Sequence, residues 1–370
     1  MFKEKRGVSA LVATVLLILI TVAGVAIIWG AVMPMITKIT QSGQACINAR
    51  LIIDTASGYT CYSETKNQAS IMVSRGPEDF QLTGIQLGLS SAGQTESIII
   101  RDGSQAVASL GFDEGSGSTT YDSSDNGNDG TINGAVWKSG TDCISGSCLS
   151  FDGVNDGVVV PDSSLFDFAG KNITISAWFK AANVQGTYAA IMWHFTGGTP
   201  GAGWQFLLNA NRVQIENRAP IDKLSITSNA AYNDNIWHQA VVTMDGSTAK
   251  LYVDGVYLKN DTYSNLIDYN ENLGIGADFT GANSFNGTID EVRIYNHALS
   301  AEEIKAQYQA DSKGSKIMYS SLPAANSANT YRINAKYISE VQVAPIVKFG
   351  NSEKICDISS KITNVPKCDF

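Results

Sequence analysis

The chain has 370 residues, a formal net charge of −9 and a sequence pI of about 4.9. This acidic balance argues against nucleic acid and anionic membrane surfaces as partners, and the length leaves room for two folded domains. The charge is uneven, because residues 104–312 contain 24 Asp and Glu against 10 Lys and Arg, whereas the remainder contains 11 against 16. The asymmetry predicts two modules of different composition.

The first element in the chain is an apolar run at residues 8–37, which contains no charged side chain. Lys3, Lys5 and Arg6 precede it, and Lys38 follows it. A helix of this length would extend about 45 Å, enough to cross a bilayer and project beyond it. The run is about twice as long as the apolar region of a cleaved secretory signal. We therefore expect it to remain in the mature protein, as a membrane anchor or as an assembly helix.

The residues at the start of the run bear on the choice between these roles. The segment KRGVSALV, which contains Gly7 and Val8, resembles the processing site of archaeal type IV pilins and archaellin-like proteins. The resemblance implies that a prepilin peptidase cleaves between Gly7 and Val8 and removes residues 1–7 as a leader. It also implies that residues 8–40 form a transmembrane or filament-core helix that packs against other pilin subunits. Bacterial pilins usually carry Glu at the fifth mature position, where this chain has Val12. The alternative is a signal-anchored surface protein.

Short strands are predicted on both sides of a large central segment. Four runs between residues 49 and 101 read as strands bounded by Gly, Asn, Pro and Ser, but strands with one buried face need a partner sheet. Comparable runs return at residues 325–370, where the stretch from Val343 resembles the last strands of archaeal pilin heads. We therefore predict a discontinuous pilin-like β domain made of residues 41–103 and 313–370.

The inserted segment, residues 104–312, carries seven short motifs in order. They are LGFDEG, DNGNDG, CLSFDGVND, ITISAWF, WHQAVVT, LYVDG and GTIDEVRIYNHALS. Their order resembles that of the laminin-G-like, concanavalin A-like jelly roll along the whole insertion. The resemblance implies a lectin-type β-sandwich. The fold expected for the whole chain is mainly β, with a long N-terminal hydrophobic α-helix.

Two predictions inside the insertion rest on the residues themselves. Ser300, followed three residues later by Glu303, forms a capping box and predicts a short helix after Ser300. The four tryptophans between residues 178 and 237 are expected to fill the core between the sheets, because aromatic residues in strands usually pack.

The six cysteines fall into three pairs that are close in sequence. In an exported protein such cysteines are expected to form disulfides. Fifteen connectivities are formally available, and proximity favours local loops. The predicted pairs are Cys46 with Cys61, Cys143 with Cys148, and Cys356 with Cys368.

Three asparagines match the acceptor pattern for N-glycosylation, which is consistent with export. They are Asn172, Asn260 and Asn286, each followed two residues later by Thr. The alternative is that each is an ordinary exposed asparagine.

The jelly-roll resemblance implies a structural Ca²⁺ as the cofactor. Ca²⁺ takes carboxylate and carbonyl oxygens, and by resemblance Asp290 of the motif IDEV is the best candidate ligand. Asp113 and the turn formed by Asp152 and Gly153 are candidate neighbours. The alternative is that Asp290 only accepts hydrogen bonds from backbone amides in a turn.

Catalysis is not expected. Glycan hydrolysis with retention needs two carboxylates about 5 to 5.5 Å apart, and the Glu-x-Asp-x-x-Glu alternation does not occur in the insertion. Asp113-Glu114 and Asp290-Glu291 are adjacent pairs, whose side chains are expected on opposite faces of a strand. The three histidines have no neighbouring Ser or Cys with a plausible Asp partner.

These features predict a pilin-like surface subunit, either in the cell membrane with an extracellular head or in an extracellular pilus. Its lectin-like domain would serve adhesion by recognising carbohydrate or a surface protein. Aromatic side chains exposed on the concave sheet of the jelly roll would favour this hypothesis. An evenly polar surface would favour a structural role, in which the insertion only bulks or shields a glycosylated filament. A membrane-anchored enzyme would need paired carboxylates in a cleft.

Overall fold

The computed structural model describes Val15 and residues 46–368, except 66–67, 79, 92–93, 169, 182–186, 197–201, 219–222, 264–269, 279–282, 336 and 350–351. Within these residues, no helix is both long enough and apolar enough to cross a bilayer. The processing site at Gly7 and Val8 and the apolar run other than Val15 lie outside the described residues. The membrane helix and its cleavage therefore stay predictions.

The described secondary structure is mainly β, as the sequence predicts. Before the insertion lie β1 (Leu51–Ile53), β2 (Cys61–Ser63), β3 (Gln68–Arg75), β4 (Leu82–Ser91) and β5 (Gln94–Asp102). The insertion begins with β6 (Ala106–Leu110), β7 (Thr119–Thr120), β8 (Gly130–Asn133), β9 (Val136–Ser139), β10 (Ser147–Asp152), β11 (Gly157–Val160), β12 (Asn172–Ala181) and β13 (Tyr188–Thr196). It continues with β14 (Ala202–Asn209), β15 (Arg212–Arg218), β16 (Lys223–Thr227), β17 (Trp237–Asp245), β18 (Thr248–Val253), β19 (Val256–Thr262), β20 (Leu273–Ile275), β21 (Asn286–Tyr295) and helix α1 (Ala301–Asp311). After it lie β22 (Lys316–Ser320), β23 (Ala328–Asn334), β24 (Glu340–Phe349), β25 (Ser352–Ile355) and β26 (Ser360–Thr363).

A small two-sheet sandwich, here called the head, combines strands from both sides of the insertion. In its four-stranded sheet, β3 pairs with β1, β2 and β23, so that Ile71 lies opposite Tyr331. In its six-stranded sheet, the order is β22–β5–β4–β24–β25, with β26 also on β24, and Leu87 lies opposite Val343. Alternate apolar side chains of the two sheets share one core, which includes Leu51, Ile71, Ile85, Leu87, Ile98, Tyr331, Val341 and Val343.

The disulfides of the head are long-range. The three bonds are Cys46–Cys356, Cys61–Cys368 and Cys143–Cys148. The first two join residues 310 and 307 positions apart. The predicted local pairing is therefore wrong for the first two and last two cysteines, and right for the pair in the insertion. The reason is that sheet pairing sets the two ends of the head side by side, with Cα atoms 5.4 and 5.7 Å apart, within disulfide reach.

The insertion forms a larger sandwich of two eight-stranded sheets. The back sheet has the order β19–β18–β17–β12–β21–β10–β9, with β6 also on β21. The front sheet has the order β16–β15–β14–β13–β20–β11–β8–β7. Their facing sides enclose one apolar core, in which Trp204 stacks on Phe168 with ring centroids 4.4 Å apart. Of the four tryptophans predicted to fill this core, Trp204 alone belongs to it.

Helix α1 and the head cover the outer side of the back sheet. Ser300 caps α1 with the predicted capping box, and Ile304 packs on Val241 and Tyr252. Towards the head, the hydroxyls of Tyr295 and Tyr319 lie 2.5 Å apart, within an apolar cluster that also contains residues of β5 and β22. The head and α1 thus contact the back sheet, and the outer face of the front sheet takes no part in joining the insertion to the head.

A β-bulge interrupts the pairing of β21 with β12. Ser176 pairs with Arg293 and Trp178 with Asp290, so Glu291 and Val292 share one partner position. Glu291 has φ 51°, in the left-handed region that bulges use. Because Ile289 and Val292 both face the core, the two residues between them both point outward. The expectation that Asp290 and Glu291 face opposite sides is wrong for this reason.

Candidate functional site

The outer face of the front sheet carries aromatic and amide side chains in ordered rows. Trp193 on β13 lies opposite Gln205 on β14, which is followed across the sheet by Glu216 and Ser225. The next row contains Ala190, Leu207, Gln214 and Thr227, and the third contains Tyr188, Asn209 and Arg212. These positions alternate with core residues, as the two-residue period of a strand requires.

The aromatic part of this face is a compact cluster. Trp193 and Phe195 meet edge to face with ring centroids 5.7 Å apart, and Ala190, Leu207 and Tyr188 pack beside them. Trp193 is 8% exposed and Phe195 5% exposed, so both rings are buried, whereas Tyr188 is half-buried. The indole Nε1 of Trp193 donates to the carbonyl of Phe195 at 3.1 Å, which fixes the orientation of the ring.

The amide part of this face is a chain of hydrogen bonds. The Nδ2 of Asn209 donates to Oε1 of Gln214 at 2.8 Å, and the Nε2 of Gln214 donates to Oγ of Ser225 at 3.1 Å. Ser225 is exposed, whereas Gln214 is buried. Aromatic rings beside oriented amides and hydroxyls are the groups that typically line a site for a polar ligand with apolar faces.

Two of the four tryptophans predicted to fill the core, Trp178 and Trp237, lie outside both the core and this face. Trp178 points outward from the back sheet, where its ring stacks on Tyr308 and its Nε1 donates to Asp311 at 2.8 Å. Trp237 is half-buried, with the ammonium of Lys180 5.6 Å from its ring. The indole of Trp178 is therefore covered by α1 and is not available as a platform for a ligand.

A buried charge cluster lies between the back sheet and the head. Arg293 binds Asp311 at 2.7 Å and also binds Glu291. Lys316 of β22 lies 2.8 Å from Glu96 of β5 and 3.6 Å from Asp113. Lys316 thus joins a strand of the head to a carboxylate of the insertion.

Burial raises the pKa of three carboxyl groups at this place, those of Asp290, Glu291 and Asp113. It raises the pKa of Asp290 well above its usual range, and the neighbouring Glu291 and Asp113 add to the effect. It raises the pKa of Glu291 to about 8, although Arg293 acts in the opposite direction. It also raises the pKa of Asp113, against the charge of Lys316.

The predicted calcium ligands do not form a suitable donor set. Oδ2 of Asp290 accepts from the amides of Ile144 and Ser145 at 3.0 and 3.4 Å, and Oδ1 accepts from the amide of Glu291 at 2.9 Å. Asp113 accepts from the amide of Ser147 and faces Lys316. These oxygens face N–H donors and an ammonium, whereas Ca²⁺ requires six to eight oxygens turned towards it. In the described residues, no group of three or more His, Cys, Asp or Glu is placed to hold a metal.

The third predicted calcium neighbour is remote from the other two. Asp152 lies at the opposite end of β10 from Ser147, about 16 Å along the strand. Its Oδ1 accepts from the amide of Val154 at 2.8 Å in a tight turn, and Gly153 adopts φ 81° there, against Asn286. The structure therefore brings together Asp290 and Asp113 but not the turn at Asp152.

His238 is held between two carboxylates that sequence reasoning did not assign to it. Its Nδ1 lies 2.8 Å from Asp254, and its Nε2 lies 3.2 Å from Asp234. Burial lowers the pKa of His238, but the bonds and charges of the two aspartates outweigh it and raise the pKa above the usual value. The ring packs against Tyr232 and Phe179, so the arrangement is that of a fixed structural imidazole.

The three sequon asparagines differ in their surroundings. Asn172, at the start of β12, and Asn260, on β19, are exposed. Asn286 is half-buried on β21, which is a central strand of the back sheet, and Gly153 packs against its Cβ. Asn172 and Asn260 are therefore more accessible to solvent than Asn286.

Comparison with known proteins concerns the insertion. Residues 152–305 match the family model described as the concanavalin A-like lectin/glucanases superfamily, Laminin_G_3. A comparison with curated protein sequences finds no match. The pilin resemblance of the N-terminal segment is outside the family match and stays a prediction.

Several solved structures are similar to part of this chain. The binding domain of Paraclostridial Mosquitocidal Protein 1 is 16% identical with a TM-score of 0.48, over 68% of this chain and 73% of that one. Domain 4 of the extracellular arabinanase AbnA from Geobacillus stearothermophilus, in complex with arabinotriose, is 20% identical with a TM-score of 0.43, over 55% and 98%. The receptor binding domain of botulinum neurotoxin D is 16% identical with a TM-score of 0.43, over 56% and 53%. The family match and the two-sheet topology together identify the insertion as a lectin-like jelly-roll domain of the concanavalin A-like type.

Proposed function

We propose that this protein is a surface adhesin whose jelly roll binds a glycan on the outer face of the front sheet. The observation that carries the proposal is the cluster of Trp193, Phe195 and the half-buried Tyr188 beside the amides of Gln205 and Gln214. An aromatic ring can cover an apolar sugar face, and oriented amides can bind its hydroxyls. The head and α1 use the other side of the sandwich, so binding at the front sheet is compatible with attachment at the back.

The N-terminal run at residues 8–37 would hold this adhesin at the cell surface. Its length and lack of charge support a membrane anchor, and the segment around Gly7 and Val8 supports the finer proposal of a pilin-like subunit. In that case the partners are a prepilin peptidase and other pilin subunits. The two long-range disulfides of the head are consistent with an exported protein.

A binding role accounts for the carboxylates better than a hydrolytic one. Asp113 and Glu291 both approach Gly111, but Asp113 faces Lys316 and Glu291 binds Arg293. Glu291 is 2% exposed and its cation is fully buried. An acid and a nucleophile of a glycosidase must instead reach the scissile bond of a sugar in a cleft.

The test is binding of the detergent-solubilised full chain to an immobilised glycan panel, followed by affinities for the best ligand. Trp193→Ala should weaken binding at least about tenfold, because a buried aromatic anchor contributes more than 1.4 kcal/mol. Ser225→Arg is the second variant, since it crowds the same row from an exposed position and leaves the core intact. Tyr257→Ala, an exposed aromatic on the other sheet, is the matched control and should bind normally.

Two results would overturn the proposal. One is a folded chain that binds no glycan on the panel. The other is a bound glycan whose affinity changes with neither Trp193→Ala nor Ser225→Arg. If substitutions on both sheets change the glycan affinity equally, the structural alternative is favoured, in which the insertion only shields the surface.

A further inference from the structure

Exposed apolar side chains of the head are concentrated at one place. Among the described residues of the head, six large hydrophobic side chains are exposed, and four of them are isoleucines. These four, here called the isoleucine patch, are Ile47, Ile52, Ile355 and Ile358, which are 67%, 56%, 48% and 55% exposed. An exposed patch of this kind is typical of a surface that contacts a protein or a membrane.

The Cys46–Cys356 disulfide holds two members of the patch close together. Ile47 follows one of its cysteines and Ile355 precedes the other, and the Cα atoms of the two cysteines are 5.4 Å apart. Because successive Cα atoms are 3.8 Å apart, those of Ile47 and Ile355 lie within about 13 Å of each other.

A hydrogen-bonded contact brings the other two members together. The amide of Leu51 donates to Oγ of Ser359 at 3.2 Å, and this hydroxyl donates to the carbonyl of Leu51 at 2.9 Å. Ile52 is the residue after Leu51 and points outward from β1, and Ile358 is the residue before Ser359. The patch therefore follows the edge of the head where β1 meets the segment between β25 and β26.

The patch lies where the head follows the apolar run at residues 8–37. Cys46 comes nine residues after Thr37, so the chain between them reaches no further than about 30 Å. A bilayer that contains the run is therefore within reach of this edge of the head. Arg50 lies between Ile47 and Ile52 in the sequence, and Asp357 lies between Ile355 and Ile358. These two charges cancel, which suits a bilayer with neutral headgroups.

We propose that the isoleucine patch docks on the lipid surface beside the membrane anchor. The inference rests on the proposed function, in which residues 8–37 form that anchor. Apolar side chains bind at a bilayer interface by burying their surface among the headgroups and upper acyl chains. The anchor makes this contact intramolecular, so a small patch is sufficient. Docking fixes the orientation of the head, and with it that of the jelly roll, relative to the membrane.

The experiment is spin labelling of the full chain reconstituted in phosphatidylcholine vesicles. All six native cysteines are in disulfides, so Ile52→Cys and Ile358→Cys each introduce one free thiol. Power saturation compares the access of O₂, which concentrates in lipid, with the access of a water-soluble nickel complex. We expect greater access of O₂ at both positions. Ile236→Cys is the matched control, because Ile236 is 59% exposed on the insertion, and the nickel complex should have the greater access there.

A charged substitution tests whether the patch acts as a unit. Burying a carboxylate in an apolar environment is costly, so Ile358→Asp in the Ile52→Cys background should shift the label at position 52 towards access of the nickel complex. An unchanged label at position 52 would overturn the proposal.

Retention of the chain in the vesicles during alkaline carbonate extraction distinguishes the docking from the anchor. A chain that is extracted would overturn the anchor and the docking together. A retained chain whose labels at positions 52 and 358 resemble the control would overturn the docking alone. Labels that exclude both reagents would show that a second copy of the chain covers the patch, which would also overturn the docking.

Discussion

Arg293 and Asp311 form a fully buried ion pair between the central strand of the back sheet and the last turn of α1, with Nη1 and Oδ2 2.7 Å apart. Removing one member of a buried pair leaves the other charge without compensation. We therefore expect Asp311→Ala to lower the free energy of unfolding by about 3 to 5 kcal/mol. Chemical denaturation of purified protein measures this change. Glu302→Ala, exposed on the same helix, is the control and should stay within about 0.5 kcal/mol of the parent. A similar loss for both variants would contradict the prediction.

Glu291 makes stability dependent on pH. Its pKa rises from 4.5 to about 8 on folding, so the folded state holds more protons between these values. The free energy of unfolding should therefore fall as the pH rises through this window. The raised pKa of His238 acts in the same direction above pH 6.5. Thermal unfolding at several pH values should show a shallower decline for Glu291→Gln than for the parent, whereas Glu302→Gln should decline as the parent does. An unchanged slope in Glu291→Gln would show that this carboxyl does not titrate in the window.

The long-range disulfides should stabilise the protein more than the local one. In the chain-entropy account, a crosslink that closes about 300 residues contributes about 6 kcal/mol, and one that closes a five-residue loop contributes about 2 kcal/mol. We expect Cys46→Ser with Cys356→Ser to lower the denaturation midpoint more than Cys143→Ser with Cys148→Ser. Peptide mapping without reduction should recover Cys46 linked to Cys356. Recovery of Cys46 linked to Cys61 would contradict the structure.

The capping box of α1 should make a small contribution to the free energy of unfolding. The hydroxyl of Ser300 accepts from the amide of Glu303 at 3.2 Å. Ser300→Ala should lower the free energy of unfolding by about 1 kcal/mol, and Ser300→Asp, which keeps an acceptor, should retain most of it. Denaturation of the two variants side by side tests the role of the cap. Equal losses would instead assign the effect to packing around Ser300.

The sequence predicts best what is set by neighbouring residues. The capping box at Ser300 involves positions three residues apart, and the structure confirms it. The jelly-roll motifs also predict the two-sheet sandwich, because strand and turn signals are local. The Cys143–Cys148 bond is a third local case that the structure confirms.

Long-range features could not be predicted in the same way. The partners of Cys46 and Cys61 depend on β3 pairing with β23 and β4 with β24, which proximity in sequence does not reveal. The side chain of Glu291 points outward because of a β-bulge, and no Gly, Asn or Pro in the sequence at this point predicts that bulge. Trp193 reads as a core residue by composition, and only the pairing of β13 with β14 shows that it faces outward. The candidate site could therefore not be predicted, because the register of the front-sheet strands brings its residues together.

The interrupted head has a consequence for synthesis. Strands β1 to β5 leave the ribosome about 200 residues before β22 to β26, which complete their core. At 5 to 20 residues per second this delay is on the order of 10 to 40 s. During that time β3 lacks its neighbour β23 and β4 lacks its neighbour β24, and such unpaired strand edges favour aggregation. Protection by a chaperone, or early folding of the jelly roll while the head waits, would then decide the yield of native protein.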